Sequence, residues 1–276
     1  MNSAMISDTI MRGALPFLAQ QRFVVLGTAS EDGSVWASPV LGKPGFVSST
    51  DGHEVRIDMT HALAVKRDIL WFNLRQGAHM GILAIDLATR RRLRINGMLS
   101  RVASSELTLD VAESYSNCPK YIQRRNLVWD DASATPTKFP AQAGEGMTSE
   151  VRSLIESADT LFIATVHAQR GADVSHRGGN PGFVHTVDAK TMRIPDYPGN
   201  GLFNTMGNLI SNSRAGITAM DFTGGRMVQA TGHAQAMFHE SGRFIEFTVD
   251  RWQLLPMPAV ARWQFVDASP FNPIAQ

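Results

Sequence analysis

The stretch DVSHRGGNPGF, Asp173 to Phe183, sets Ser175, His176 and Arg177 side by side and follows them with Gly178 and Gly179. A guanidinium offers a planar fork of donors that matches the oxygens of a phosphate or carboxylate. Paired glycines let backbone amides approach such a group closely. Two readings are open from these residues alone: a loop that holds an anion, or a solvated turn. His176 invites a proton-relay role, against the structural role that a lone histidine more often has. Downstream, NTMGN supplies Asn204, Thr205 and Asn208 as donors. Asn204 and Thr205 are equally suited to capping a helix that opens at Met206, and a helix N-terminus also favours an anion. A basic run, NCPKYIQRR, brings Lys120, Gln123 and Arg124, as a ligand wall or as helix surface.

Composition narrows the classes. The net charge is +1, so no overall field recruits nucleic acid or an anionic membrane, and any anion site must be local. Cys118 is the only cysteine, which excludes an internal disulfide and a multi-cysteine zinc site. It is most simply a small buried residue. The 8 histidines show no H-E-x-x-H spacing, so no metal site is expected. MNSAMISDTIMRGALPFLAQ lacks a sustained apolar core and is a poor signal peptide. No apolar run approaches a membrane span, and the expectation is a cytoplasmic protein.

The elements that must position these residues come from an internal repeat. KPGFV at Lys43–Val47 answers NPGFV at Asn180–Val184, an offset of 137 residues. At that offset Thr28 meets Thr165 and Ser38 meets Ser175; at 135, Gly81, Asp86, Arg91 and Gly97 meet Gly216, Asp221, Arg226 and Gly232. Ordered matches of this length argue for duplication. FVVLGTA and TLFIATV read as strands, each followed by a turn cluster, and RRLRINGML and RMVQATGHA alternate. In RRLRINGML, Leu93 and Ile95 take one face and Arg92, Arg94 and Asn96 the other, a charged strand face or an anion contact for the arginines. Val151, Leu154, Ile155 and Ala158 predict a helix after Thr148 and Ser149. Leu107, Val111 and Tyr115, spaced by four, predict another. The expected organisation is a first repeat over 1–129, a linker over 130–147 rich in Pro, Gly and polar residues, and a second repeat over 148–276.

DVSHRGGNPGFV, RIPDYPGNGLFNTMGNLISNSRAGITAMDF and ATGHA together resemble the FMN-binding split-barrel family related to pyridoxamine 5′-phosphate oxidase. WASPVLGKPGFV, TRRRLRING and NCPKYIQRR resemble the first half of tandem members. The resemblance implies a mainly β (α+β) chain of two tandem FMN-binding split β-barrels, each six-stranded, with a few flanking helices. It implies FMN in the cleft between barrels; other members bind haem or a deazaflavin. FMN's phosphate would then lie on Arg177, Gly178 and NTMGN, with Ser175 and the backbone around Pro181 near the ring. Lys120, Gln123 and Arg124 would reach the cofactor from the facing barrel, and His176 would be a relay or haem-ligand candidate. The first repeat has Pro39, Val40 and Leu41 where the second has His176, Arg177 and Gly178. One site per chain is therefore expected, built on the second repeat with the first as its far wall. The barrels would pair within the chain as a pseudo-dimer or between chains as a homodimer. Relatives often carry proline at the position of His176, and the oxidase's lysine falls here on Gly182. The function implied is an FMN-dependent oxidoreductase acting on a small molecule, fed by an electron-donor protein. The alternatives are a non-enzymatic flavin or electron-transfer module, a haem-binding barrel and a cofactor-free scaffold.

Overall fold

The structure is a computed structural model that describes residues 6–129, 139–199, 203–240 and 242–273. Residues 130–138 of the expected linker lie outside the described residues. The chain is mainly β, with helices few and short. The first half runs α1 (Leu15–Ala19), β1 (Phe23–Ala29), β2 (Val35–Gly42), β3 (Val47–Ser48), β4 (Glu54–Asp58), β5 (Ala62–Leu63), α2 (Leu70–Asn73), β6 (His79–Asp86), β7 (Arg91–Val102), β8 (Glu106–Ser116) and β9 (Arg124–Trp129). The second runs β10 (Gln142–Gly144), α3 (Ser149–Ser157), β11 (Thr160–His167), β12 (Gly171–Gly178), β13 (His185–Thr186), β14 (Thr191–Pro195), α4 (Asn204–Ser211), β15 (Arg214–Asp221), β16 (Arg226–His239), β17 (Gly242–Pro256) and β18 (Ala261–Asp267).

The two sheets repeat one strand order. The first is β3-β4-β8-β7-β6-β1-β2-β5 and the second, read from its far end, is β13-β14-β17-β16-β15-β11-β12. Position by position the second follows the first, through six long strands in each: two split barrels in tandem. Each barrel fills its own interior, Leu26, Ile82, Ile95 and Leu109 in the first and Ile163, Ile217, Ala230 and Phe247 in the second. Helix α3 forms as expected, its N-terminus capped by Thr148 Oγ1, which accepts from the Val151 amide at 3.3 Å.

The barrels also share a third core. Phe23, Leu83 and Ile122 from the first half meet Phe162, Val174 and Met220 from the second. Both faces of β1 and β11 are therefore buried, which is why FVVLGTA and TLFIATV read as continuous apolar runs. Backbone meets backbone here. A Cβ on Gly81 would lie 2.8 Å from the Ala172 carbonyl, and one on Gly216 would lie 2.3 Å from the Val35 carbonyl. The matched glycines of the repeat thus serve the same contact from opposite sides. Finally β9 pairs antiparallel with β18, tying the end of the first half to the end of the second.

Two expectations are corrected. The helix expected over Leu107, Val111 and Tyr115 is strand β8, paired with β4 and β7. Leu107, Leu109 and Val111 share the core face at a strand's period of two, and a bulge opposite Asn96 and Gly97 turns Tyr115 to the other face. The DVSHRGG loop is also a strand: Ser175, His176 and Arg177 of β12 stand opposite Ile163, Phe162 and Leu161 of β11. On one face Asp173, Ser175 and Arg177 each meet a polar partner, in Arg94, Thr205 and Asp196, while His176 on the other face packs on the Phe162 ring.

Candidate functional site

Strand alternation sends Ser175 and Arg177 one way and Asp173's neighbours Val174 and His176 the other. At the end of β12, Arg177 and His176 open into a pocket completed by Arg92 of β7 and by Cys118, Lys120 and Tyr121 of the segment before β9. Pro195 and Tyr197 form its other side. Both halves of the chain therefore line it. The pocket measures about 410 Å³ with its mouth included and about 30 Å³ where a water-sized body can sit. The smaller space suits a phosphate-sized group; a ring system would have to lie outside it.

The charge here is one-sided. Arg177 pairs with Asp196, which also accepts from Arg243 Nε at 3.0 Å. Arg92 donates to the Cys118 carbonyl and has no acidic partner among the described residues. Arg92 Nε, Arg177 Nε and both ring nitrogens of His176 are buried with no hydrogen-bond partner among the described residues. Burial, then Arg94 and Arg177, push the Arg92 pKa down to about 9. Burial likewise holds the His176 pKa well below its ordinary value, aided by Arg92 and Arg177, so the ring is neutral. Unpaired buried cations are costly. An anion supplying oxygen acceptors would satisfy the two arginine nitrogens and the single N–H of the neutral His176 ring.

The wall is rigid. A Cβ on Gly178 would fall 2.1 Å from the Tyr121 carbonyl, so this glycine admits a neighbouring backbone rather than a ligand. Tyr121 itself is left-handed (φ 66°), an uncommon state for a bulky residue. Its hydroxyl donates to the Pro198 carbonyl at 2.6 Å, and its ring lies 5.1 Å from that of Tyr197.

The other expected residues divide. Lys120 lines the pocket, with its ammonium 5.0 Å from the Phe271 ring. Gln123 stands behind it, donating to the Tyr121 and Gly179 carbonyls and accepting from the Ser269 amide. Arg124 turns away to Asp267. Pro181 sits in an exposed turn outside the pocket lining, and the neighbouring Gly182 amide is already bonded to the Glu156 carbonyl. Ser175 and Thr205 share a 2.7 Å hydrogen bond, and Asn208 donates to Thr165 at 3.0 Å. The capping expectation fails as well. Phe203, left-handed at φ 50°, holds the N-cap of α4 with no side-chain bond, and Asn204 instead donates to the Tyr115 hydroxyl at 2.6 Å.

That tyrosine belongs to a buried network that sequence reasoning missed. Arg94, 1% exposed, donates to Asp173 at 3.2 Å and to Tyr115 at 3.3 Å; Tyr115 donates to Asp173 at 2.9 Å. Burial works against the Arg94 charge, but Asp173 and Tyr115 together outweigh it, raising the pKa. Burial and then Asp173 push the Tyr115 pKa up to about 12. The alternation of Arg92, Arg94 and Asn96 in β7 was the available signal, but it reads equally as a solvated face. It is covered, by β12.

No family model matches the chain, and no curated protein matches it in sequence. Among solved structures, HupZ of Group A Streptococcus is 18% identical over 41% of this chain and 98% of its own, with a TM-score of 0.33. A proposed pyridoxamine 5′-phosphate oxidase from Lactobacillus delbrueckii is 14% identical over 39% of this chain and 93% of its own, TM-score 0.32. A proposed 5-nitroimidazole antibiotic resistance protein from Bacteroides thetaiotaomicron is 10% identical over 47% and 92%, TM-score 0.27. Scores this low carry no functional inference; the pocket's own residues must.

Proposed function

We propose that the chain binds FMN through its phosphate in this pocket and acts as a flavin-dependent oxidoreductase on a small molecule. One observation carries the reading: Arg92, Lys120, Arg177 and His176 converge on a phosphate-sized space with buried donors left unpartnered. Arg177 and Arg92 would take the phosphate oxygens, Lys120 would add charge, and neutral His176 would donate one ring N–H. FMN, when bound, supplies hydride or electron transfer. The chain's part is to bind the phosphate, keep it from water and leave the ring at the mouth beside Tyr121 and Tyr197. A deazaflavin carrying a phosphate would use the same residues. A haem has less support: His176, the imidazole of the pocket, is packed against Phe162 at 5.7 Å and against Gly178.

Flavin fluorescence quenching tests the assignment. Lys120→Gln and Arg177→Gln should each weaken FMN at least about 10-fold, since a hydrogen bond to a charged group contributes about 1.5–3 kcal/mol. Riboflavin, lacking the phosphate, should bind far more weakly than FMN. Equal affinity for FMN and riboflavin, or unchanged affinity in both variants, overturns it. Lys120→Gln keeps the test valid if loss of Arg177 disturbs folding.

A further inference from the structure

A second cleft, of about 340 Å³, lies where α1 and the start of β1 meet the β9–β18 ribbon, and it shares no lining residue with the first pocket. Three arginines face it, Arg22, Arg91 and Arg125, against one acid, Asp86. Phe17, Phe23 and Trp263 supply apolar surface. We propose that this cleft is a binding site for a small organic anion with a flat apolar body, an aromatic phosphate or carboxylate.

Its size falls in the range of ligand pockets, about 300–1,000 Å³. Asp86, whose oxygens accept from the Ala88 amide at 3.0 Å and the Thr89 hydroxyl at 2.6 Å, is one carboxylate against three guanidinium groups. Arg125 is 8% exposed and gives one nitrogen to Asp159 at 2.5 Å, while its Nη1 is buried without a partner. Arg22 donates from Nη1 to the Leu127 carbonyl at 3.0 Å, and its Nε has no partner. These guanidinium groups are held by rings. Arg125 lies 4.2 Å from the Phe222 centroid and Arg91 4.7 Å from that of Phe17. Donors fixed in this way lose little freedom when an anion arrives. Trp263 is itself fixed, edge-on to Phe23 at 5.2 Å, and offers a face to a planar body.

The repeat sharpens the point. At the offset of 137 residues, Arg22 stands where the second half has Asp159, the acid that pairs with Arg125. The first half has reversed the charge at this place. An extra half-buried arginine whose buried Nε has no acceptor among the described residues is unfavourable unless an acceptor comes from outside the chain.

Calorimetric titration with phenyl phosphate tests this, using Arg91→Gln, Arg22→Gln and, in the first pocket, Lys120→Gln. Phenyl phosphate should bind, and inorganic phosphate and phenol should each bind at least about 10-fold more weakly, each lacking half of what the cleft recognises. Arg91→Gln and Arg22→Gln should weaken phenyl phosphate about 5-fold or more, and Lys120→Gln should leave it unchanged. Three results overturn the proposal: no binding at millimolar phenyl phosphate, inorganic phosphate binding equally well, or loss in Lys120→Gln with Arg91→Gln intact. Arg91 is exposed, so its variant stays informative if Arg22→Gln folds poorly. The titrations are run with FMN in excess, so that a phosphate site in the first pocket is filled before phenyl phosphate is added and the readout is of the second cleft alone.

Discussion

The two barrels make the same hydrogen bonds where the fold needs them and differ where a ligand would sit. Asn73 donates to Thr28 at 2.9 Å, and Asn208 donates to Thr165 at 3.0 Å. Ser38 donates to Asp68 at 2.6 Å, and Ser175 bonds Thr205 at 2.7 Å. Each set ties the short helix that precedes β6 or β15, or the turn that leads into it, to the first two long strands of its barrel. At the pocket the likeness ends. Arg92, His176 and Arg177 have as counterparts Met227, Pro39 and Val40, and both Met227 and Val40 are buried core residues. The comparison teaches which polar residues hold the barrel and which are surplus to it. Ser175, Thr205 and Asn208 fall in the first group, Arg92 and Arg177 in the second.

The strongest way to test that division is at the buried charges. Asp173→Asn leaves Arg94 without its counter-charge and should cost about 3–5 kcal/mol in denaturant unfolding. Gln229, at the place of Arg94 in the second half, is neutral; it donates to Ala37 at 2.8 Å and Asp68 at 3.0 Å. Gln229→Leu should cost about 1–3 kcal/mol, the penalty for stranding buried acceptors. Equal losses would mean that the charge at Arg94 matters no more than its hydrogen bonds.

A smaller effect probes the repeated asparagines. Asn73→Ala and Asn208→Ala should each cost about 1–2 kcal/mol, with no change in FMN affinity. If Asn208→Ala alone releases FMN, then Asn208 is a ligand and the division fails there.

The smallest effect is a pH dependence. His176 is buried and neutral, its pKa held well below the ordinary 6.5. Below pH 6.5 the unfolded chain binds a proton that the folded chain does not, so stability falls as pH drops through that value. The slope contributed is at most about 1.4 kcal/mol per pH unit. His176→Phe should flatten the acid limb of the stability curve relative to wild type. An unchanged limb would show that His176 is charged in the fold, contrary to its one-sided surroundings.

Much of this architecture was legible in the repeat. The offset matched Thr28 to Thr165, Ser38 to Ser175 and Gly81 to Gly216, and each pair occupies the same place in its barrel. In sequence NTMGN faces NLRQG, which sets Asn204 opposite Asn73, whereas the hydrogen bonds set Asn208 there. Small length changes on either side of a four-residue helix hide such a shift. Lys120 and Arg177 stood out as cations beside glycine and proline, but helix surface and a solvated turn were equally open for them until the tertiary fold set both in one pocket lining. Asp173 did not stand out, since its partner Arg94 lies 79 residues away and no local pattern joins them. Tyr121 and Tyr197 are likewise brought together by the tertiary fold alone.

The central claim is that the chain has one site for a phosphate-bearing flavin, lined by both halves, and not one in each barrel. Equilibrium titration of the folded chain with FMN, read by flavin fluorescence against protein concentration, tests it most directly. The account predicts one FMN per chain, abolished in an Arg92→Gln/Arg177→Gln double variant that still unfolds cooperatively. Two FMN per chain, or one that survives in the double variant, would contradict it.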